Sequence, residues 1–229
     1  MNLYIGIDDA GRGPLVGPML LAGVLVNSDQ KDRLKKLGIK DSKLILPSKR
    51  KKLFKDIKKI SLGYEILATS PDEIDGRGSA GLNLNKIEAV KTAEIINELI
   101  KKIKEEVEIE VYVDCPSPNI RIWQRYVEKH LDHKKNVNLI LKCEHKADMN
   151  HVECGAASIL AKVTRDSEIE KIKKRIGIDF GSGYSSDERT IEFMKNHSSK
   201  FKHDGIFRKT WGTWKNHVKK KSQKKLFDY

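Results

Sequence analysis

Asp8 and Asp9 stand side by side at the end of an apolar run, and a glycine-rich turn, Gly11-Arg12-Gly13-Pro14, follows at once. Carboxylates held close together lose hydration and repel one another, so a pair in this position calls for cations. Two further acids occupy comparable places. Asp114 closes an alternating run over residues 109–114, and Asp148 falls just beyond another run over 138–142. If the strands that carry them are neighbours, four carboxylates meet at one edge of a sheet. An all-oxygen set of this kind suits Mg2+ or Mn2+, which take carboxylates, waters and phosphate oxygens. Two such ions about 4 Å apart can activate water and stabilise the leaving oxygen in phosphodiester hydrolysis. Taken singly, each aspartate also reads as a turn residue or a helix cap. Their combination on a basic chain is what points to chemistry.

Two other patterns compete for the same stretches. His145, Asp148, His151 and Cys154 fall at short spacings that invite zinc, but they match no familiar pair of ligand dipeptides, and a loop entering a helix would scatter them. Gly11 to Gly17 invites a nucleotide loop, yet no Gly-Lys-Ser/Thr follows and the next element is an apolar strand rather than a helix. Neither pattern is adopted.

The elements that must position the acids follow from periodicity. Strands are expected over residues 3–7, 19–26, 61–69, 109–114 and 138–142, and helices over 48–60, 83–106, 118–131, 152–176, 187–195 and 210–220. Three strands joined by short connections precede strand–helix–strand units, which predicts an α/β fold with a mixed five-stranded sheet flanked by helices.

The chain has 229 residues and a formal net charge of +13, which favours a polyanion, nucleic acid first, as partner. No apolar run approaches the length of a membrane span, and the chain begins directly with a strand, so a cytoplasmic protein without a membrane partner is expected. The odd count of three cysteines reads as reduced thiols. Between residues 195 and 225 Asp204 is the only acid, while Lys195, Lys200, Lys202, Arg208, Lys209, Lys215 and Lys219 to Lys221 accumulate. This stretch is expected to supply sequence-independent phosphate contacts. Trp211 and Trp214, three apart on the expected helix, read as packing residues rather than base-stacking ones.

The stretch Gly6-Ile-Asp-Asp-Ala-Gly-Arg-Gly-Pro14 resembles the signature of type 2 ribonucleases H (ribonuclease HII), archaeal-like in length. Further matches follow in the family's order: Asp41-Ser-Lys-Leu44, Tyr112-Val-Asp114, Glu144-His-Lys-Ala-Asp148, Ala156-Ala-Ser-Ile-Leu-Ala-Lys-Val-Thr-Arg-Asp166, Gly181-Ser-Gly-Tyr-Ser-Ser-Asp187 and Arg208-Lys-Thr-Trp211. The resemblance covers residues 4 to 215 and implies a ribonuclease H fold with a helical C-terminal extension. It divides the chain into a catalytic domain over 1–183, a basic helical extension over 184–222 packed on it, and a tail over 223–229.

The same resemblance implies an endoribonuclease that cuts the RNA strand of RNA/DNA hybrids and 5′ of ribonucleotides embedded in duplex DNA, leaving 3′-hydroxyl and 5′-phosphate ends. It places the metal-binding acids on Asp8, Asp9, Asp114 and Asp148, with two Mg2+ or Mn2+ ions in the active complex. The backbone of Gly11, Arg12 and Gly13 falls where the family reads the ribose 2′-hydroxyl, the group that tells RNA from DNA. Tyr184 falls on the tyrosine that helps recognise the ribonucleotide, and Lys43, Ser158 and Lys162 on phosphate-contacting positions. Ser158 and Lys162 lie four apart and so share one helix face. Arg165, followed by Asp166, reads as pairing with its neighbour.

Two positions depart from the family. Asp9 stands where glutamate is usual, and Ser185 where proline is usual, which would loosen the loop carrying Tyr184. At the C-terminus, Gln223, Leu226, Phe227 and Tyr229 approximate the peptide that docks on sliding clamps, with a plain basic tail as the other reading. A monomer is expected. The alternative to an enzyme is a catalytically silent hybrid-binding protein of the same fold.

Overall fold

The computed structural model describes residues 2–39, 45–101 and 103–227. The apolar runs become five strands, β1 (Leu3–Ala10), β2 (Met19–Asn27), β3 (Gly63–Thr69), β4 (Val107–Asp114) and β5 (Val137–Glu144). They form one sheet in the order β3-β2-β1-β4-β5. β1 runs antiparallel to β2 and parallel to β4, and β4 runs parallel to β5, so the sheet is mixed as expected.

Nine helices are assigned among the described residues: α1 (Ser28–Lys36), α2 (Pro47–Ile60), α3 (Pro71–Ser79), α4 (Leu84–Lys101), α5 (Ile120–Glu128), α6 (Ala147–Asn150), α7 (Val152–Ile176), α8 (Glu188–His197) and α9 (Gly212–Phe227). Among these, α1, α3 and α6 were not expected. α1 lies with α2 between β2 and β3, so these strands are not joined by a short connection, and α3 lies between β3 and β4. α1 starts with a capping box in which Gln30 N–H donates to Asn27 Oδ1 at 2.9 Å and Asn27 N–H to Gln30 Oε1 at 3.0 Å. It buries only Leu34, which is why no apolar stripe announced it. No described helix is long and apolar enough to cross a membrane.

The chain divides into two compact units. The first contains Met1–Ala10, Leu20–Ala68 and Leu84–Thr164, and the second Gly11–Met19, Thr69–Asn83 and Arg165–Tyr229. The first unit holds the sheet. Its core includes Val24, Val26, Leu34, Ile57, Ile159 and Leu160, and each such side chain removed from water contributes roughly 1.5–3 kcal/mol. The second unit has a core of its own, with Leu15, Val16, Phe180, Phe193, Phe207 and Trp214.

Candidate active site

β1 and β4 run parallel with Ile7 opposite Val113, so Asp8 and Asp114 follow as neighbours, Asp114 as the last residue of β4. Asp114 in turn lies opposite Glu144, the last residue of β5, and Asp148 sits in α6 a few residues on. The carboxyl edge of parallel strands is where open α/β sheets gather their ligands. Lys146 takes a left-handed backbone (φ 61°) ahead of α6, and the next amide, Ala147 N–H, donates to Asp114 Oδ1 at 3.3 Å. A direct bond thus ties Asp114 to the residue before Asp148.

Asp8 and Asp9 are not at the end of β1 but inside it, because pairing continues to Ala10 opposite Leu20. Side chains alternate along a strand, so the two carboxylates leave on opposite faces. Asp8 shares its face with Gly6. A Cβ at Gly6 would run into the backbone of Glu153 and Cys154, so only glycine lets α7 come this close. From that contact α7 sets out a ladder one turn per step. Cys154 Sγ–H donates to Tyr112 O at 3.1 Å, Ser158 hydrogen-bonds Asp8, and Lys162 Nζ donates to Ser158 Oγ at 3.0 Å.

Asp8 is buried, and burial pushes its carboxyl well above the ordinary range. The charges of Asp9 and Asp114 push the same way, while bonds from Ser158 and from Asp9 N–H, at 2.7 Å to Asp8 Oδ1, pull it back. Asp148 is buried as well, whereas Asp9 and Asp114 are half-buried.

Among the described residues no three acid, histidine or cysteine side chains converge as a ready-made metal site. The donors are still all oxygen, and Asp8 carries an electrostatic load that a cation would relieve. In donor chemistry the residues fit a hard divalent ion. The residues that invited zinc go elsewhere: His145 Nδ1 lies 2.9 Å from Cys115 O, His151 stacks on Tyr112 with ring centroids 3.7 Å apart, and Cys154 is buried.

Ser158 has no exposed surface, so as placed it steadies Asp8 rather than meeting a phosphate. Lys162 is half-buried. Lys43 lies outside the described residues, as do Tyr229 and the side chains of Leu226 and Phe227; Gln223 is exposed on α9.

The second unit builds the glycine turn. Gly11 has φ +79°, and a Cβ there would meet Pro18 O at 2.9 Å and Arg165 Nε at 3.1 Å. The Tyr184 ring lies against Gly13, with Cε1 at 3.8 Å from where a Cβ would stand. Gly183 O accepts from Leu15 N–H at 2.8 Å and Val16 N–H at 3.1 Å, which ties the tyrosine loop to the chain just after the turn. Arg165 does more than pair with Asp166, at 3.7 Å: its Nη2 donates to Ser182 O at 2.6 Å and its guanidinium lies 4.9 Å from the Tyr184 ring centroid. The loop is further fixed by Ser182 N–H to Asp187 Oδ2 at 2.7 Å and Gly183 N–H to Thr190 Oγ1 at 3.0 Å. None of these bonds uses Ser185.

Two residues of the basic stretch change meaning. Arg208, expected among the phosphate contacts, is fully buried. Its guanidinium donates to Gly11 O at 2.6 Å, Arg12 O at 2.7 Å and Gly17 O at 3.0 Å. Trp211 precedes α9 and gives its indole N–H to Gly13 O at 3.2 Å, while Trp214 is buried against Phe207 with centroids 4.7 Å apart.

With this geometry in view, comparison with known proteins is informative. The family model for Ribonuclease HII matches residues 5–214. The chain is 41% identical to a ribonuclease HII of Pyrococcus furiosus over 212 residues, covering 91% of this chain and 88% of that protein. It is similar to the crystal structure of ribonuclease H2 from Pyrococcus horikoshii, with a TM-score of 0.83 at 35% identity over 95% of this chain and 98% of that one. It is similar too to the ribonuclease HII in a complex with PCNA from Archaeoglobus fulgidus, with a TM-score of 0.77 at 38% identity, over 91% of this chain and 95% of that one.

Proposed function

The chain belongs to the ribonuclease HII family and is a ribonuclease H, and from that premise we propose that it hydrolyses the phosphodiester on the 5′ side of a ribonucleotide, in RNA/DNA hybrids and in duplex DNA alike. The observation that carries this reading is the strand register that seats Asp8 beside Asp114, with Asp148 beyond the neighbouring β5.

Asp8, Asp114 and Asp148 would supply the carboxylate oxygens for divalent ions, and Asp9, on the other face of β1, would reach them through a backbone shift or a bridging water. Two Mg2+ or Mn2+ ions held there would acidify the attacking water and offset the charge that builds on the phosphodiester. Water adds to phosphorus, the bond to the 3′ oxygen breaks, and the products carry 3′-hydroxyl and 5′-phosphate ends. Ser158 holds the Asp8 carboxylate in place, and Lys162 and Lys43 attract the substrate backbone. Ribose selection falls to the backbone of Gly11, Arg12 and Gly13 with Tyr184, whose ring packs on Gly13. In the clamp complex of the Archaeoglobus fulgidus relative we see support for a docking role of the tail at Gln223, Leu226, Phe227 and Tyr229.

The test is cleavage of labelled duplexes carrying one, four or many ribonucleotides, in Mg2+ and then in Mn2+. Cutting 5′ of the ribonucleotide, with an all-DNA duplex left intact, is the expected result. Asp8→Asn should slow it about a thousandfold or more, the equivalent of about 4 kcal/mol of transition-state stabilisation. Tight binding without cleavage in either metal would instead establish a silent hybrid-binding protein.

A further inference from the structure

The segment over residues 15–17 pairs with that over 206–208 inside the second unit. Val16 and Phe207 form an antiparallel bridge, Arg208 N–H donates to Leu15 O at 2.9 Å, and Gly17 N–H donates to Ile206 O at 2.9 Å. This pairing delivers the Arg208 side chain to the inner side of the glycine turn, where its guanidinium takes the carbonyls of Gly11, Arg12 and Gly17. Trp211, whose ring lies 5.0 Å from the Arg208 guanidinium carbon, takes the carbonyl of Gly13. Three successive carbonyls of the turn are therefore held from one side.

A trans peptide is planar, and its C=O and the N–H of the next residue point in opposite directions. Fixing Gly11 O on Arg208 therefore aims Arg12 N–H away from it, and fixing Arg12 O aims Gly13 N–H away in the same manner. A buried guanidinium is suited to the task, because it is always charged and presents a rigid fork of donors. The residues that follow are locked in turn. Asp75 on α3 accepts from Lys209 N–H at 2.7 Å, Thr210 N–H at 3.0 Å and Thr210 Oγ1–H at 2.6 Å.

We infer that Arg208, latched by Asp75, is a positioning residue for ribose selection: it sets the direction of the Arg12 and Gly13 amides that read the 2′-hydroxyl. The inference rests on the ribose-reading role given to this turn above. It assigns Arg208 to recognition through other groups, although its own side chain touches no substrate. Arg208→Lys keeps the charge but loses the rigid fork whose separate nitrogens reach the three carbonyls.

The experiment measures the affinity of the full chain, without divalent ion, for a duplex containing one ribonucleotide and for the same duplex with a deoxyribonucleotide there. Arg208→Lys should reduce the ratio of the two affinities by about tenfold or more while binding to the all-DNA duplex stays at the wild-type level. Asp75→Asn, which disturbs Arg208 only indirectly, should reduce the ratio less and in the same direction. A folded Arg208→Lys or Asp75→Asn protein with an unchanged ratio overturns the inference, even if its melting temperature falls, because that is what a purely structural brace would give. An equal loss of affinity for both duplexes overturns it too. A wild-type ratio of one is a distinct result, which removes the ribose-reading role of the turn and the inference with it.

Discussion

At the scale of single residues, Asp9 is the position where this chain's chemistry stands apart. Its carboxylate leaves β1 on the face opposite Asp8 and is shorter than the family's usual glutamate by one methylene, about 1.5 Å of reach. Metal–oxygen bonds tolerate only about 0.2 Å. For Asp9 to join a metal shared with Asp8, either the backbone shifts or a water bridges the gap, and the two ions respond differently because Mg2+ demands near-ideal octahedral geometry. Asp9→Glu is therefore expected to change the ratio of rates in Mg2+ and Mn2+, measured on one ribonucleotide-containing duplex. If wild type and variant show the same rates and the same ratio, Asp9 has no such part. The acids themselves were legible in the sequence, since each ends or follows an apolar run. Arg208 was not, because a basic residue in a basic stretch reads as solvated. What holds it inside is a set of backbone carbonyls, and these carry no residue signature.

Among the elements, β1 against α7 places Asp8 in the first unit, and the loop ahead of α8 places Tyr184 in the second. Gly6 is the point of closest approach of β1 to α7, and Gly6→Ala would drive a methyl into the Glu153 and Cys154 backbone. Overpacking of this kind destabilises by about 1–3 kcal/mol, so the urea midpoint should fall, and cleavage should fall with it as Ser158 moves off Asp8. An unchanged midpoint would mean that α7 is free to retreat. Ahead of α8, the Asp187 carboxylate takes the Ser182 amide and is held down at about 2, below the ordinary 3.8. A carboxylate depressed by folding adds stability that is fully present above the unfolded value and is lost as pH falls through the folded one. Wild type should therefore lose stability between about pH 4 and pH 2 through this group, and the gap between wild type and Asp187→Asn in urea melts should close over that window. A gap that stays constant with pH would exclude the carboxylate as its source. The strands and α4 were readable because apolar runs mark the strands, and Ile87, Val90, Ala93, Ile96 and Ile100 fall at helical spacing in α4. α1 exposes nearly its whole surface, α3 carries Gly76 and Gly78, and α6 is a single turn, so burial left no pattern in any of them.

At the scale of the whole molecule, the charge of +13 has to be divided before it can be assigned to nucleic acid. Within the basic stretch Arg208 is buried, and Lys209 lies 3.5 Å from Asp72, so neither is available as a plain phosphate contact. Lys195, Lys200, Lys202, Lys215 and Lys219 are exposed. A lysine that neutralises a phosphate releases a condensed counterion, and each such contact steepens the fall of log affinity against log salt by roughly 0.9 on duplex DNA. Replacing these five with glutamine should weaken binding to hybrid and all-DNA duplexes alike and flatten the salt dependence by up to about 4.5 units of slope. Ribose preference should survive, because the glycine turn and its Arg208 brace are untouched. A slope equal to that of wild type would make this a solvated face that takes no part in binding, and would shift the search for phosphate contacts to Lys162 and the remaining lysines of the first unit.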